Sequence, residues 1–396
     1  MRIARAFVAL TALFALTAHA ENPIRIGEVN SFKSQPSFME PYKRGMDLAV
    51  DEINAAGGVN GRKLQVIVRD DNGNPADAVR AAEELLSKDH VDLLSGTFLS
   101  HVGLAVSEVA KQKKVFFLAG EPLTDKIVWQ NGNRYTFRLR PSAYMQVAIM
   151  VPEASRLKKK RWALVYPNYE YGQSAVATFK QLLQAAQPDV EFVSEQPAPL
   201  GKVDAAAVVQ ALADAKPDAI FNVLFGADLA KFVREGKARN LFAGREVVSL
   251  LTGEPEYLDP LKEDAPEGWL VTGYPWYGIA TPEHKTFLTA YQQKYNEPPR
   301  LGSVVGYSMI KSIAEGVRKA GGTDTDKLVA AFRGLEVDTP FGRISYRPED
   351  HQSTMGAFIG RTKRQGDKVV MEDYRYIDGR RIQPKAVLVE KLRPAD

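Results

Sequence analysis

The sequence predicts an α/β protein made of two doubly wound lobes. Short β-branched runs alternate with helical patterns along most of the chain, the order expected of mostly parallel sheets flanked by helices. Its 396 residues exceed the ~250–300 at which a single hydrophobic core stops growing, so two domains are expected. The alternation also breaks at residues 138–144 (RLRPSAY) and restarts at Arg161, which divides the elements into two sets.

Residues 1–20 carry only Arg2 and Arg5 as charges, an apolar stretch over 7–16, and Ala18-His19-Ala20. This reads as a secretory signal peptide cleaved after Ala20, too short and wrongly flanked for a membrane span. It predicts a mature protein free in the periplasm of a Gram-negative cell. No later segment has eighteen uncharged apolar residues in a row. The chain has no cysteine, which excludes disulfides, thiolate metal sites and a lipid-modified cysteine. Without Arg2 and Arg5 the formal charge falls from +4 to +2, a balance that argues against nucleic-acid or membrane-surface binding.

The first strand is expected at residues 24–30. A helix follows near 41–55, where Met46, Leu48, Ala49 and Ile53 fall at helical spacing. Gly57 and Gly58 end it, because glycine tolerates the left-handed conformation of a helix terminus. Asn60-Gly61 then turns the chain into a strand at 64–68. Asn74-Pro75 starts the next helix, with proline where its missing N–H is harmless. Further strands are expected at 91–95, 115–118, 162–166, 219–224, 247–251 and 270–274. Helices are expected at 101–111, 173–186, 227–238, 282–295 and 303–320. Residues 357–361 and 374–377 alternate apolar and polar side chains and read as added strands. The basic run 158–161 reads as a solvated helix end.

Enzyme signatures are missing from the sequence. It contains no G-x-S-x-G nucleophile elbow, no phosphate-binding G-x-x-x-x-G-K-[ST] and no G-x-G-x-x-G. His90, His101, His284 and His351 show no metal-binding spacing. Asp70, Asn72 and Asn74 begin like a calcium loop, but Pro75 stands where glycine is needed and Ala81 where the bidentate glutamate belongs. A turn and a helix cap are expected there, and neither a metal nor a cofactor.

Open α/β sheets bind ligands in the loops at the C-terminal ends of their strands. Here those loops are rich in candidates. Residues 96–100 (GTFLS) offer Thr97, Phe98 and Ser100 beside a helix N-terminus suited to a carboxylate. Plain N-capping by Thr97 or Ser100 is the competing role. Residues 119–124 (AGEPLT) add Ala119, Glu121 and Leu123. Across the expected cleft, residues 167–172 (PNYEYG) carry Tyr169 and Tyr171, aromatics poorly placed for a core but suited to stacking. Phe225, Thr252 and Glu254 end the following strands. Trp276 and Tyr277 serve either as cleft wall or as hinge packing.

The segment DEINAAGGVNGRKL at residues 51–64 resembles the leucine/isoleucine/valine-binding family of periplasmic solute-binding proteins. YGQSAV around Tyr171 and EGWLVT at 267–272 are also similar to that family, and the likeness runs from Ile24 to about Tyr346. The resemblance implies a type 1 periplasmic-binding fold, two Rossmann-like lobes joined by a three-strand hinge with crossings near 141, 275 and 346. Lobe 1 is then 21–140 plus 276–345, and lobe 2 is 141–275 plus 346–396. It also implies that the loops at Thr97–Ser100 and 119–123 hold a ligand carboxylate, and that Phe38, Tyr171 and Phe225 are aromatic contacts. The family's ammonium-binding glutamate aligns with Thr252, leaving Glu254 or Glu121 to replace it, or a ligand with no amino group.

The function expected from these readings is solute binding by hinge closure for an ABC-type importer. The expected partners are a small ligand and a membrane permease, and the expected state is a monomer. An amino acid is the leading ligand class, with aromatic carboxylates, amides or urea as the alternative. The rivals from other classes are a periplasmic hydrolase using Glu121 and Glu254 as an acid/base pair, and a sensory ligand-binding module.

Overall fold

The computed structural model describes residues 22–394; the expected signal peptide at 1–20 lies outside them. Along the chain, β1 (Ile24–Asn30), α1 (Pro36–Ala55), β2 (Leu64–Asp70), α2 (Pro75–Ser87), β3 (Leu93–Gly96), α3 (Ser100–Lys113), β4 (Phe117–Ala119) and β5 (Thr136–Arg138) come first. After α4 (Ala143–Arg156) follow β6 (Arg161–Pro167), α5 (Glu170–Ala186), β7 (Glu191–Ala198), α6 (Ala205–Asp214), β8 (Ala219–Asn222), α7 (Gly226–Ala238), β9 (Glu246–Gly253), α8 (Pro255–Leu258) and β10 (Leu270–Gly273). The chain continues through α9 (Pro282–Tyr295), α10 (Leu301–Ala320), α11 (Thr325–Phe332) and the hairpin β11 (Glu336–Thr339) and β12 (Gly342–Ser345). It ends with β13 (Ala357–Gln365), β14 (Lys368–Ile377) and α12 (Ala386–Leu392).

Two larger sheets result. The first has the order β2-β1-β3-β4-β5, all parallel. The second has the order β14-β13-β10-β9-β8-β6-β7 and is parallel except for the added hairpin β13-β14. Parallel strands buried on both faces read as apolar runs; β4 (FLA) and residues 162–165 of β6 (WALV) do so, and β3 and β8 are buried throughout. Each sheet forms the centre of one lobe.

The stretch after β1 follows its sequence logic closely. Met46, Leu48, Ala49 and Ile53 are buried, Gly57 and Gly58 take positive φ at the end of α1, and Asn60 and Gly61 both take positive φ in the turn. α1 starts earlier than expected, at Pro36, and carries Pro41 inside it. Pro41 forgoes one backbone hydrogen bond there, and packing of Phe38 and Tyr42 offsets that loss. α1 crosses α10 in backbone contact: a Cβ on Gly306 would lie 2.1 Å from the Tyr42 carbonyl oxygen, and one on Gly45 1.9 Å from that of Ser303. The sequence pattern does not predict helices α4, α6, α8, α11 and α12, the strands β5 and β7 or the hairpin β11-β12. Asp71 accepts hydrogen bonds from Ser31 Oγ and the Gly73 amide, and Asn74 caps α2, so residues 70–74 are turn and cap.

The chain passes between the sheets after β5, after β10 and after β12. Two of these passages run side by side: the Arg138 amide donates to the His351 carbonyl at 3.0 Å and the Ser353 amide to the Arg138 carbonyl at 2.9 Å. Beyond β14 the chain turns back toward the first lobe, where Arg393 donates to the carbonyls of Val128 and Asn133. Among the described residues no helix is long and apolar enough to cross a membrane.

Candidate ligand-binding cleft

Strands β3 and β4 of the first lobe and β6, β8 and β9 of the second end at a shared cleft. The turn out of β3 is tight, with Gly96 and Thr97 both at positive φ (115° and 56°). A β-branched residue in that region costs of order 1–3 kcal/mol, a strain found mainly at functional sites. It sets Ser100 at the first position of α3. Ser100 Oγ accepts from the Thr124 amide at 3.1 Å, which ties the two first-lobe loops together.

A small pocket, partly open to solvent, is lined by Phe98, Ser100, Glu121, Leu123, Arg140, Tyr169, Tyr171, Phe225 and Leu251. Seven of the expected site residues therefore meet in one place. Phe38 lies one layer behind, its ring 5.2 Å from Phe98. Glu254 reaches the cavity's rim through Arg140 and lines a neighbouring space beside the hinge. Three expected residues face elsewhere. Thr97 shapes the backbone through its amide bond to the Val29 carbonyl, and Ala119 accepts from the Leu139 amide within the sheet edge. Thr252 turns away because Leu251 takes positive φ (65°), which points the Thr252 hydroxyl at Ser249 Oγ, 2.6 Å away. Trp276 and Tyr277 pack at the hinge, where Tyr277 donates to the Met371 carbonyl.

The lobes meet across this cleft. Phe98 approaches Phe225 at 6.1 Å between ring centroids, and His101 approaches Tyr169 at 5.5 Å. The hydroxyls of Thr124 and Ser174 lie 3.1 Å apart. Arg300 donates to the Pro255 carbonyl, and the Gly302 amide at the start of α10 donates to Glu256 at 2.7 Å. The cleft is closed.

Its centre holds a residue that the sequence reading used only as a lobe boundary. Arg140, just past β5, bonds Glu121 of the first lobe and Glu254 of the second, and all three are buried. Burial opposes the Arg140 charge, yet the two glutamates more than restore it and hold its pKa above the ordinary value. Burial raises Glu121 above the usual carboxylate range against the pull of Arg140. It pushes Glu254 well above that range, with Glu256 and Glu121 adding repulsion. Glu121 Oε1, Glu254 Oε2 and the hydroxyls of Tyr171 and Tyr257 are buried without a hydrogen-bond partner among the described residues. Such groups are expensive to leave unpaired. The one available signal for Arg140 was its place: an arginine immediately after a strand's C-terminal end, in a segment leading between lobes.

The N-cap positions of α3, α5 and α7 at the cleft are Leu99, Tyr169 and Phe225, none of which supplies a side-chain cap. Elsewhere α1, α9 and α12 also lack one, whereas α2, α4, α6 and α11 are capped by Asn74, Ser142, Asp204 and Asp324. Uncapped first-turn N–H groups and the helix dipole together favour an anion.

A family model described as periplasmic binding protein matches residues 23–367. The chain belongs to the periplasmic binding protein family. It is 24% identical to Leu/Ile/Val-binding protein homolog 8 of Brucella suis biovar 1, over 99% of both chains. It is 27% identical to the leucine-, isoleucine-, valine-, threonine- and alanine-binding protein of Pseudomonas aeruginosa, over 87% of this chain and 91% of that one. Among solved structures, a solute-binding protein of an ABC transporter from Rhodopseudomonas palustris BisB5, in complex with 3,4-dihydroxy benzoic acid, superposes with a TM-score of 0.82. That protein is 25% identical, and the match covers 90% of this chain and 98% of that one. The expected type 1 periplasmic-binding fold and solute-binding role both hold for this member.

Proposed function

We propose that this protein is the periplasmic solute-binding component of an ABC-type importer and that it carries a small carboxylate with a hydrogen-bond donor at its other end. The observation behind the ligand class is the pairing of two unmet demands in one cleft. Three helices present uncapped N-termini beside the Ser100 hydroxyl, while Glu121 Oε1 and Glu254 Oε2 lack donors among the described residues. An α-amino acid meets both, its carboxylate at α3 and its ammonium at the glutamates. Each charge-assisted hydrogen bond is worth ~1.5–3 kcal/mol.

A hydroxylated aromatic acid is the second reading. It is favoured by the ring lining of Phe98, Tyr169, Tyr171 and Phe225 and by the R. palustris relative's ligand. The phenol hydroxyl then replaces the ammonium as donor. Both readings assign Phe38, Phe98, Ser100, Glu121, Leu123, Arg140, Tyr169, Tyr171, Phe225 and Glu254 to the site, with Thr97, Ala119 and Thr252 as its scaffold.

Residues 1–20 export the chain, and cleavage follows Ala20. The mature monomer divides into 21–140 plus 276–345 and 141–275 plus 346–396. Ligand binds the first lobe, and the second closes over it because its aromatics gain contact only on closure. The membrane permease reads the closed shape. Glu121 and Glu254 are each tied to Arg140, an arrangement that supports ligand holding over acid/base turnover.

A thermal-shift screen of the mature protein against amino acids, benzoates, hydroxybenzoates, amides and urea tests this reading. A ligand at a hundred times its Kd adds ~2.7 kcal/mol of stability. A shift from amides or urea alone, with none from any carboxylate, contradicts the proposed ligand class.

A further inference from the structure

The central cluster of the cleft contains two carboxylates and one guanidinium, so it carries one uncompensated negative charge. Arg140 gives one nitrogen to Glu121 and another to Glu254, and among the described residues no donor meets the second oxygen of either glutamate. The other titratable groups packed around Glu254 do not supply the missing positive charge. Glu256 and Tyr257 lie beside it on α8, Tyr171 faces it from α5, and Glu121 lies beyond Arg140. Arg300, the next cation, donates to the Pro255 carbonyl and pairs with Asp259. A net charge sealed from water by lobe closure is costly, and a buried group escapes that cost by changing protonation.

We propose that Glu121, Arg140 and Glu254 form a charge-matching site, in which closure on a ligand also takes up whatever proton is needed to neutralise the cluster and the ligand's inner end. The proposal rests on the ligand class given above. A ligand with an ammonium group supplies the missing charge itself and closes without a proton. A hydroxylated aromatic acid brings no positive charge, so one proton binds a carboxylate to give the neutral acid, with Glu254 as its carrier. The strong upward displacement of Glu254 by burial agrees with that assignment. The carrier's affinity for protons is higher in the closed state than in the open one, so closure on the aromatic acid is favoured as pH falls. Its Kd then rises about tenfold per pH unit between the open-state and closed-state values. The Kd for an amino acid stays flat over the same window.

Titration calorimetry of the mature protein with leucine and with 4-hydroxybenzoate, at pH 7.5 in buffers of different ionisation heat, reads the proton number directly. We expect about one proton taken up with 4-hydroxybenzoate and close to none with leucine. E254Q should abolish the uptake and weaken leucine by at least tenfold. Zero uptake with the aromatic acid, one proton with leucine, or uptake that survives in E254Q overturns the proposal. If neither probe binds, the ligand class fails, and the charge rule is then read from the protein alone. In a T124C/S174C variant oxidised to hold the lobes shut, where the parent hydroxyls lie 3.1 Å apart, a carbon-detected NMR titration that places Glu254 above the ordinary carboxylate range supports it, and one that places Glu254 within that range overturns it.

Discussion

Arg140→Met removes the cation between two buried carboxylates while retaining most of the side chain's bulk. Both carboxylates sit 1–2% exposed in the closed cleft, so closure without the guanidinium buries an additional unpaired charge. Breaking a buried ion pair by deleting one partner costs ~3–5 kcal/mol. An independent route gives a similar figure. Protonating a carboxylate of ordinary pKa 4.5 at pH 7.5 spans three units, or about 4 kcal/mol at ~1.36 kcal/mol per unit. Glu254 belongs to the second lobe, so opening separates it from Arg140, and the penalty is expected to fall on closure more than on folding. The variant is therefore expected to lose ~10²–10³-fold in ligand affinity at pH 7.5 and only about tenfold at pH 5.5, where one unit separates pH from pKa. Its ligand-free melting temperature should stay within a few degrees of the parent's. Calorimetry at the two pH values, with a ligand from the thermal-shift screen, measures this. A loss of equal size at both pH values would refute the reasoning, because it would mean that Arg140 binds the ligand directly instead of balancing the glutamates.

Three further expectations concern separate parts of the molecule. Ser100→Ala removes the hydroxyl that accepts from the Thr124 amide and borders the cleft; carboxylate affinity should fall about tenfold or more by calorimetry, given ~1–3 kcal/mol for a buried group left unpaired. Burial pushes the Glu28 pKa up from 4.5 to about 7, so its contribution to stability is full below 4.5 and is lost as pH rises through 7. The melting temperature should therefore decline between pH 5 and 8, and Glu28→Gln should flatten that slope; parallel profiles for the two proteins would contradict the assignment. Gly306→Ala forces a Cβ to within 2.1 Å of the Tyr42 carbonyl oxygen where α10 crosses α1. It should cost ~1–3 kcal/mol in denaturant unfolding.

The fold was largely legible because its main signals are local. Hydrophobic period separates the strands from the helices, and Gly57, Gly58, Asn60-Gly61 and Asn74-Pro75 mark the ends through backbone conformations that few other residues adopt. The cleft loops were legible for a topological reason, since parallel α/β sheets gather the C-terminal ends of their strands at one edge. Arg140 was not legible as a site residue. Its partners lie 19 and 114 positions away, and only the meeting of the two lobes brings Glu121 and Glu254 to one guanidinium. Thr252 faces away from the cleft for a local reason: Leu251 in a left-handed conformation rotates the next side chain toward Ser249, and no residue type in the sequence signals that. α4 is less legible because Pro152 interrupts its helical pattern, as proline is expected to break a helix interior.

In the proposed complex a carboxylate ligand sits between the uncapped start of α3 and the glutamates joined by Arg140. Calorimetric titration of the mature protein with leucine and with 4-hydroxybenzoate tests it most directly. One of them should bind with a stoichiometry of one and lose at least tenfold in affinity when Ser100 is replaced by alanine. Binding by neither, or binding that Ser100→Ala leaves unchanged, would contradict it.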